Sequence, residues 1–260
     1  MASVPPPTID ELGVPGALHL AALLDASNRR LRVAPTRRMT LALMAELREM
    51  ALIDVPWPDP RWEIAPNARD TPIEGLQWRY LWTAYIEDSL VPALREFLQS
   101  VPRDEYAIAL RMRLWRELAV AEGERFFETQ LTRHQFDPGW AQDLVFVQRD
   151  CGLVLSAAQW RYCCWAATRH GAALAQQQRV PDPAAIREAT YAELRKRIGP
   201  VVAGRWATNF VPFNLTPESA LTRLFVDVLT PLGDAFWHLV PNEMALLAPY
   251  PSRNTAEAGG

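Results

Sequence analysis

Apolar residues recur every three or four positions along most of the chain after residue 70, which is the spacing of amphipathic helices. The pattern predicts helices over 73–100, 104–134, 157–178, 184–198 and 216–240. Pro92 and Pro231 are expected to bend or divide the first and the last of these, because proline removes a helical hydrogen bond and clashes with the preceding turn. We therefore expect a mainly α fold in which residues 71–248 form a larger, irregular helical bundle.

The first part of the chain has a different order of elements. A helix is predicted over 16–27, and a second helix follows it, with apolar residues at helical spacing. Those apolar residues are Met39, Leu43, Met44, Leu47 and Met50. Thr36 or Thr40 is expected to cap the start of this second helix. Two short extended pieces come next, at 52–55 and 62–65, and a proline-rich corner separates them because proline is disfavoured inside a strand. The order predicts two helices followed by a β-hairpin.

Two helices and a hairpin in this order resemble a winged helix-turn-helix over residues 16–66. The resemblance is one of pattern, with no residue-level signature, and we recognise no family for the rest of the chain. It implies that the second helix acts as a recognition helix and that the hairpin forms a wing beside it. Trp57 and Trp62 flank the corner and would lie in that wing or cap the core. The expected regions are a tail at 1–15, a winged-helix-like module at 16–70, a helical domain at 71–248 and a tail at 249–260.

A basic cluster lies between the two helices of this module. Its five arginines occupy ten residues without an acid among them, and together with one threonine they form the candidate nucleic-acid-binding set: Arg29, Arg30, Arg32, Arg37, Arg38 and Thr40. Arginine side chains and a helix N-terminus both suit phosphate oxygens, while only contacts to base edges confer sequence preference. The alternative is a solvated basic turn whose arginines pair with acids of a neighbouring helix.

Composition narrows the classes of function. The values of 49% hydrophobic and 22% charged residues over 260 positions are typical of a globular protein. The net charge of -3 argues against a protein whose whole surface binds nucleic acid, because nucleic-acid binding depends on neutralising phosphates. Arginine abundance alone is weak evidence for phosphate binding, since Lys196 is the only lysine and the bias extends over the whole chain.

Neither the cysteines nor the apolar runs indicate an exported or membrane protein. The three cysteines include the adjacent pair Cys163 and Cys164, and they fit neither a disulfide framework nor a zinc knuckle. No basic segment followed by an apolar block opens the chain, and no window is apolar enough to span a bilayer. We expect a bacterial, cytoplasmic protein with no membrane contact.

Two pairs of residues could be interpreted as a reactive thiol site or a metal site. Cys163 and His170 are seven residues apart on one predicted helix, so their side chains lie two turns apart and a buried packing role is favoured for the cysteines. Asp234 and His238 are four residues apart and would share a helix face, but a metal site needs further ligands and no second pair occurs. A hydrogen bond or helix-end charge pairing is favoured there.

The acids of the longest predicted helix are expected to form a solvated face. Glu124 and Glu128 could belong to a carboxylate-bridged diiron site, but no Glu-x-x-His follows and arginines interleave with them at helical spacing. The chain has no phosphate-binding glycine loop, no Gly-x-Ser-x-Gly and no His-Glu-x-x-His. The sequence therefore predicts no catalytic, cofactor-binding or metal-binding residues, and favours a protein that is not an enzyme.

Two functions follow from these patterns. The leading hypothesis is a regulatory or assembly subunit that binds a protein partner or a second copy through its helical domain and contacts DNA through the N-terminal module. The alternative is a purely protein-binding helical partner, such as an inhibitor or immunity-type protein, with no nucleic-acid role. Arginines lining an open face would favour DNA, and arginines paired with acids of the helical domain would favour protein binding. A third hypothesis, an enzyme, requires a deep helical cleft that gathers polar groups.

Overall fold

The computed structural model describes residues 8–29, 31–54, 78–82, 87–206 and 219–249, and it is mainly helical, as predicted. The helices are α1 (Ile9–Arg29), α2 (Arg37–Glu49), α3 (Glu87–Ser100), α4 (Glu105–Arg133), α5 (Leu144–Cys151), α6 (Ala157–Gln177), α7 (Pro183–Val202), α8 (Ala220–Leu224), α9 (Ala235–His238) and α10 (Glu243–Leu247). A 3-10 helix over Pro138–Asp143 precedes α5, and a π-helical turn over Phe225–Leu229 follows α8. The two strands are β1 (Ile53–Asp54) and β2 (Arg79–Tyr80).

Side-chain caps begin the principal helices. Thr36, rather than Thr40, caps α2 by accepting a hydrogen bond from the Met39 amide. Ser156 and Gln159 form a reciprocal capping box at the start of α6, at the three-residue separation that such a box requires. Caps of this kind depend on neighbouring residues, so they are readable from the sequence.

The first helix begins earlier than predicted, at Ile9 instead of Gly16. The segment is two helices merged across a kink, because Gly13 has a left-handed φ of 62° and Pro15 follows it. The residues just before Gly16 are therefore part of the folded body, and residues 1–7 of the predicted tail lie outside the described part of the chain.

The strand pairing differs from the expected hairpin. β1 falls within the predicted 52–55 piece, but it pairs antiparallel with β2, with Ile53 opposite Tyr80 and Asp54 opposite Arg79. Residues 79–80 were expected to be helical, and α3 begins only at Glu87. The second predicted piece, 62–65, lies outside the described residues with Trp57 and Trp62, so the winged-helix arrangement stays a prediction.

The core is shared across the expected boundary at residue 70. α1 packs against α3 and against α8, and one cluster of buried side chains extends from Leu12 to Leu246. The backbone adds to this connection, because the amide of Ala220 donates to the carbonyl of Arg32. α1 and α2 thus belong to the same packed body as the later helices.

The last predicted helix, 216–240, is interrupted. α8 begins at Ala220, where the Ser219 hydroxyl accepts from the Thr222 amide, and the helix ends at the π-helical turn before Thr230 and Pro231. The break at Pro231 is the one expected from proline chemistry.

The centre of the bundle is formed by α4, α6 and α7. α4 packs along α6, α6 packs along α7, and fully buried side chains such as Trp115, Phe127 and Trp160 fill the space between them. α4 and α6 approach each other closely at Gly123 of α4, where a Cβ atom would lie 2.7 Å from the Cβ of Trp160. Because glycine has no side chain, Gly123 lets α4 and α6 pack closely at this point.

Replacing Gly123 by alanine is expected to introduce strain of about 1–3 kcal/mol, because the two helices must separate to admit the methyl group. The better helix propensity of alanine, about 1 kcal/mol, opposes this strain, so the free energy of unfolding should fall by up to about 2 kcal/mol. Urea denaturation of G123A measures the change. Arg116→Ala, an exposed change on the same helix, is the control and should stay within about 0.5 kcal/mol. A G123A protein more stable than the native chain would contradict the close contact.

Candidate protein-docking groove

The predicted basic residues at the end of α1 are only partly available to a ligand. The Nε of Arg29 lies 3.0 Å from Oδ1 of Asp25, which also lies 3.4 Å from an amino group of Arg95. Arg32 is exposed in the connection to α2. Arg30 lies outside the described residues.

The predicted residues at the start of α2 contact the helical body to different extents, and the side chain of Arg38 is 59% exposed. Arg38 pairs with Glu124 of α4 at 3.1 Å, and Arg37 is half-buried. Thr40 is 0% exposed, and its hydroxyl donates to the carbonyl of Thr36. Thr40 therefore serves as a packing residue in this conformation, because a side chain without exposed surface has none to offer a nucleic acid.

The buried side of α2 explains this placement. Leu43, Met44 and Leu47 are all buried in the shared core, as their spacing predicted. The helix is thus held against the body, and its outward side borders an open groove along α4. This positioning comes from packing between distant parts of the chain.

The α4 groove has a volume of about 680 Å³ and is bordered by α2, α4, α5 and α10. Apolar side chains line much of it: Met39, Ala42, Ala109, Met112, Val120 and Val145. Polar side chains complete the lining: Arg38, Arg113, Arg116, Glu117, Gln148 and Glu243. Ala42 and Ala109 are exposed, so two of the smallest side chains leave room where an occupant would lie.

The charges of the α4 groove are partly neutralised by one another. Arg113 and Glu117 form a long ion pair of 4.0 Å, in which each side chain is more than half exposed. Arg116 has no ion pair within the part of the chain that the structure describes. Burial raises the pKa of Glu117, and the nearby Arg113 lowers it. Arg116 is therefore the arginine of the groove best placed to meet an external anion.

Glu124 is buried and pairs with Arg38 at the side of the α4 groove, and Glu122 is buried too, so the expected solvated face of acids on this helix is wrong for these two residues. Burial raises the pKa of its carboxyl group to about 7, although Arg38 lowers it and Glu128 adds to the rise. Near neutral pH, the carboxyl group of Glu124 is thus neutral in part of the molecules and charged in the rest.

The pKa of Glu124 predicts how stability changes with pH. The folded chain keeps the proton on Glu124 up to about pH 7, whereas the unfolded chain releases it near the usual pKa of 4.5. The contribution of this group to stability is therefore fully present below about pH 4.5 and is lost as pH rises through about 7. The contribution is on the order of 3 kcal/mol, from about 1.4 kcal/mol for each pKa unit.

Glu124→Gln should remove this contribution, so its stability relative to the native chain should rise between about pH 5 and about pH 8. Urea denaturation at both pH values measures the difference, and Glu105→Gln, which is exposed in the first turn of α4, serves as the control. Parallel pH profiles for the native and E124Q proteins would contradict the raised pKa.

The thiols of α6 are buried. Burial raises the pKa of Cys163 to about 12, and it raises the pKa of Cys164 well above its usual value. Both groups are therefore thiols at neutral pH, and neither has the thiolate character of a nucleophile. His170 is exposed on the same helix, so the packing interpretation of the two cysteines agrees with their burial.

The acid and histidine pair of the last predicted helix lies at the surface. Asp234 and His238 are both exposed. Among the described residues, no three His, Cys, Asp or Glu side chains come together in a way that could hold a metal ion.

A second, smaller groove of about 470 Å³ lies between the 3-10 helix, α5 and α7. Arg187 and Asp143 form an ion pair in its lining, and the hydroxyl of Tyr191 donates to the carbonyl of Trp140. These internal pairs occupy several of its polar groups, so the α4 groove is the stronger candidate.

One feature of the sequence indicates the α4 groove but did not enter the prediction of candidate sites. The outward positions of α4 include Tyr106 and Ala109 among the charged residues, whereas a purely solvated face would carry polar side chains there. The contributions of α2, α5 and α10 depend on contacts over long sequence separations, and no local pattern shows them.

Within the described ranges, the helices include none that combines enough length with enough apolar character to cross a bilayer. Comparison with known proteins found no matching family model, no matching curated protein and no matching solved structure.

Proposed function

We propose that this chain is a non-enzymatic, protein-binding helical subunit that receives its partner in the α4 groove. The observation that carries this proposal is the groove itself, which is open, partly apolar and bordered by charged side chains. Protein interfaces have a similar composition, with an apolar centre inside a polar rim. Grooves between helices are also a common way to bind a helical segment of another protein.

The environment of the arginines favours a protein partner over DNA. Arg29 and Arg38 each pair with a carboxylate of the folded body, so phosphates would have to compete with these carboxylates for both arginines. DNA contact through Arg32 and the start of α2 is the competing function, and it is an outcome of the tests below.

A groove-blocking variant tests the proposed function. Ala109→Trp places a large side chain at an exposed position of the groove, so it should block a partner without disturbing the core. Ala192→Trp adds the same side chain to an exposed position of α7 that lines neither groove. Proteins captured from the native host by the native chain, A109W and A192W are compared by quantitative mass spectrometry.

We expect a partner whose recovery falls about tenfold or more with A109W and is unchanged with A192W. Equal recovery of every captured protein by both variants would overturn the proposal. Fluorescence anisotropy with a short mixed-sequence DNA duplex at low and high salt is the second measurement. Salt-dependent binding that is lost in Arg32→Ala would favour DNA contact instead.

A further inference from the structure

We propose that the occupant of the α4 groove is an amphipathic helix of about three turns, with its acidic end beside Arg116 and Arg38 and its basic end beside Glu243. This inference rests on the proposed function and specifies the chemistry of the partner. It follows from the length of the exposed stripe on α4, from two exposed apolar side chains at one end of it, and from the order of charges along the groove.

The length comes from α4. Tyr106, Ala109, Arg113 and Arg116 are exposed and lie three or four residues apart, so they share one face of the helix. At about 1.5 Å per residue, this stripe is about 15 Å long. A helix lying along it would contact it over about three turns.

The apolar end of the stripe has two large exposed side chains. Tyr106 is 81% exposed in the first turn of α4, and Met244 is 77% exposed on α10. Arg103 donates to the carbonyl oxygens of Leu247 and Ala248, which holds α10 beside the first turns of α4. Tyrosine and methionine are enriched at the centres of interfaces, so this end provides anchor groups for the apolar face of an occupant.

The charges differ between the two ends. Glu243 begins α10, near the start of α4, and it lines the groove there. Arg38 lies further along, because it pairs with Glu124 in the second half of α4, and Arg116 lies between these positions. An occupant with a carboxylate opposite Arg116 and a cation opposite Glu243 would complement both ends, while the reverse order would meet like charges.

The order of charges also suits the helix dipole. Acidic side chains stabilise the N-terminal turn of a helix and basic side chains stabilise the C-terminal turn. The occupant's N-terminus would therefore lie beside Arg116 and Arg38, and its C-terminus beside Glu243, Met244 and Tyr106. This orientation is antiparallel to α4, which begins at the Tyr106 end.

A display library of random helical peptides, selected against the full-length chain, tests the inference. Peptides that still bind A109W are discarded as independent of the groove, and the rest are sequenced. We expect apolar residues at helical spacing, acids near the N-terminus and bases near the C-terminus. Selection against the charge-reversed variant Arg116→Glu should replace the N-terminal acids by bases. Selection against Arg195→Glu, an exposed arginine outside the α4 groove, should leave the pattern unchanged.

Groove-dependent peptides without this charge order, or with a non-helical apolar spacing, would overturn the inference and leave the proposed protein-binding function standing. Failure to enrich any peptide that loses affinity with A109W would also overturn the inference, while the capture experiment decides the proposed function separately. An unchanged consensus against R116E would show that Arg116 does not select the partner.

Discussion

Replacing Arg161 by methionine is expected to lower the free energy of unfolding by about 3–5 kcal/mol, the usual effect of breaking a buried ion pair on one side. Arg161 of α6 lies 2.9 Å from Glu122 of α4, and both side chains are at least 96% buried by their exposed fractions of 4% and 1%. The other oxygen of Glu122 accepts from the hydroxyl of Thr222 on α8 at 2.8 Å. The guanidinium of Arg161 also lies 4.3 Å from the ring centroid of Trp237. One carboxylate therefore connects three helices.

Removing the cation leaves the carboxylate of Glu122 buried beside an apolar side chain, which is the reason for the large loss. The double variant E122Q/R161M should be more stable than R161M, because glutamine removes the buried charge and still offers an oxygen to Thr222. Arg169→Met on α6 is the matched control, since Arg169 is exposed, and its loss should be below about 1 kcal/mol. Thermal and urea denaturation measure the stabilities of R161M, E122Q/R161M and R169M. A loss below about 0.5 kcal/mol in R161M would show that the pair does not hold α4 to α6.

Replacing Arg111 by lysine is expected to cost about 2–4 kcal/mol although the charge is kept. The guanidinium of Arg111 is buried and donates to three backbone carbonyls, those of Leu229, Pro102 and Val101, at 3.0, 2.8 and 3.0 Å. It joins the end of the π-helical turn to the connection between α3 and α4. An ammonium group is a compact donor that cannot reach three carbonyls arranged around a planar fork.

The expected loss comes from carbonyls that remain without this donor after the change, at about 1–3 kcal/mol for each buried group. Part of it is offset by water at Pro102, which is exposed. Arg113→Lys, two residues further along the same helix and exposed, is the control and should change stability by less than about 1 kcal/mol. Equal effects of R111K and R113K in urea denaturation would show that the fork geometry is not needed.

The contacts of Arg111 and Glu122 also bear on the proposed groove. Both residues lie on α4 and attach its buried face to the rest of the bundle, whereas the outward face of α4 lines the α4 groove. A rigid helix held in this way presents Arg113 and Arg116 at constant spacing. Preorganisation of that kind lowers the entropy lost when a partner binds.

Local patterns were sufficient for the helical class, most helix positions and several caps. The α4 span of Glu105–Arg133 agrees closely with the predicted 104–134, because its capping aspartate and its apolar spacing are contained within the segment itself. The capping box of Ser156 and Gln159 is equally local. Residues 79–80 were misassigned because their strand depends on pairing with β1, about 25 residues earlier, and aromatic residues such as Tyr80 suit either element.

Helix periodicity, proline positions and capping residues thus determine from the linear chain that this is a mainly α protein, since each acts within a few residues. Tertiary packing alone decided that α1 and α2 share the core of the later helices, that Arg38 faces Glu124, that Arg161 meets Glu122, and that four helices border one groove. The physical reason is separation along the chain: Arg38 and Glu124 are 86 residues apart, and Glu122 and Thr222 are 100 apart. Such contacts form only when burial of apolar surface brings whole helices together, so they cannot be predicted from the spacing of neighbouring residues.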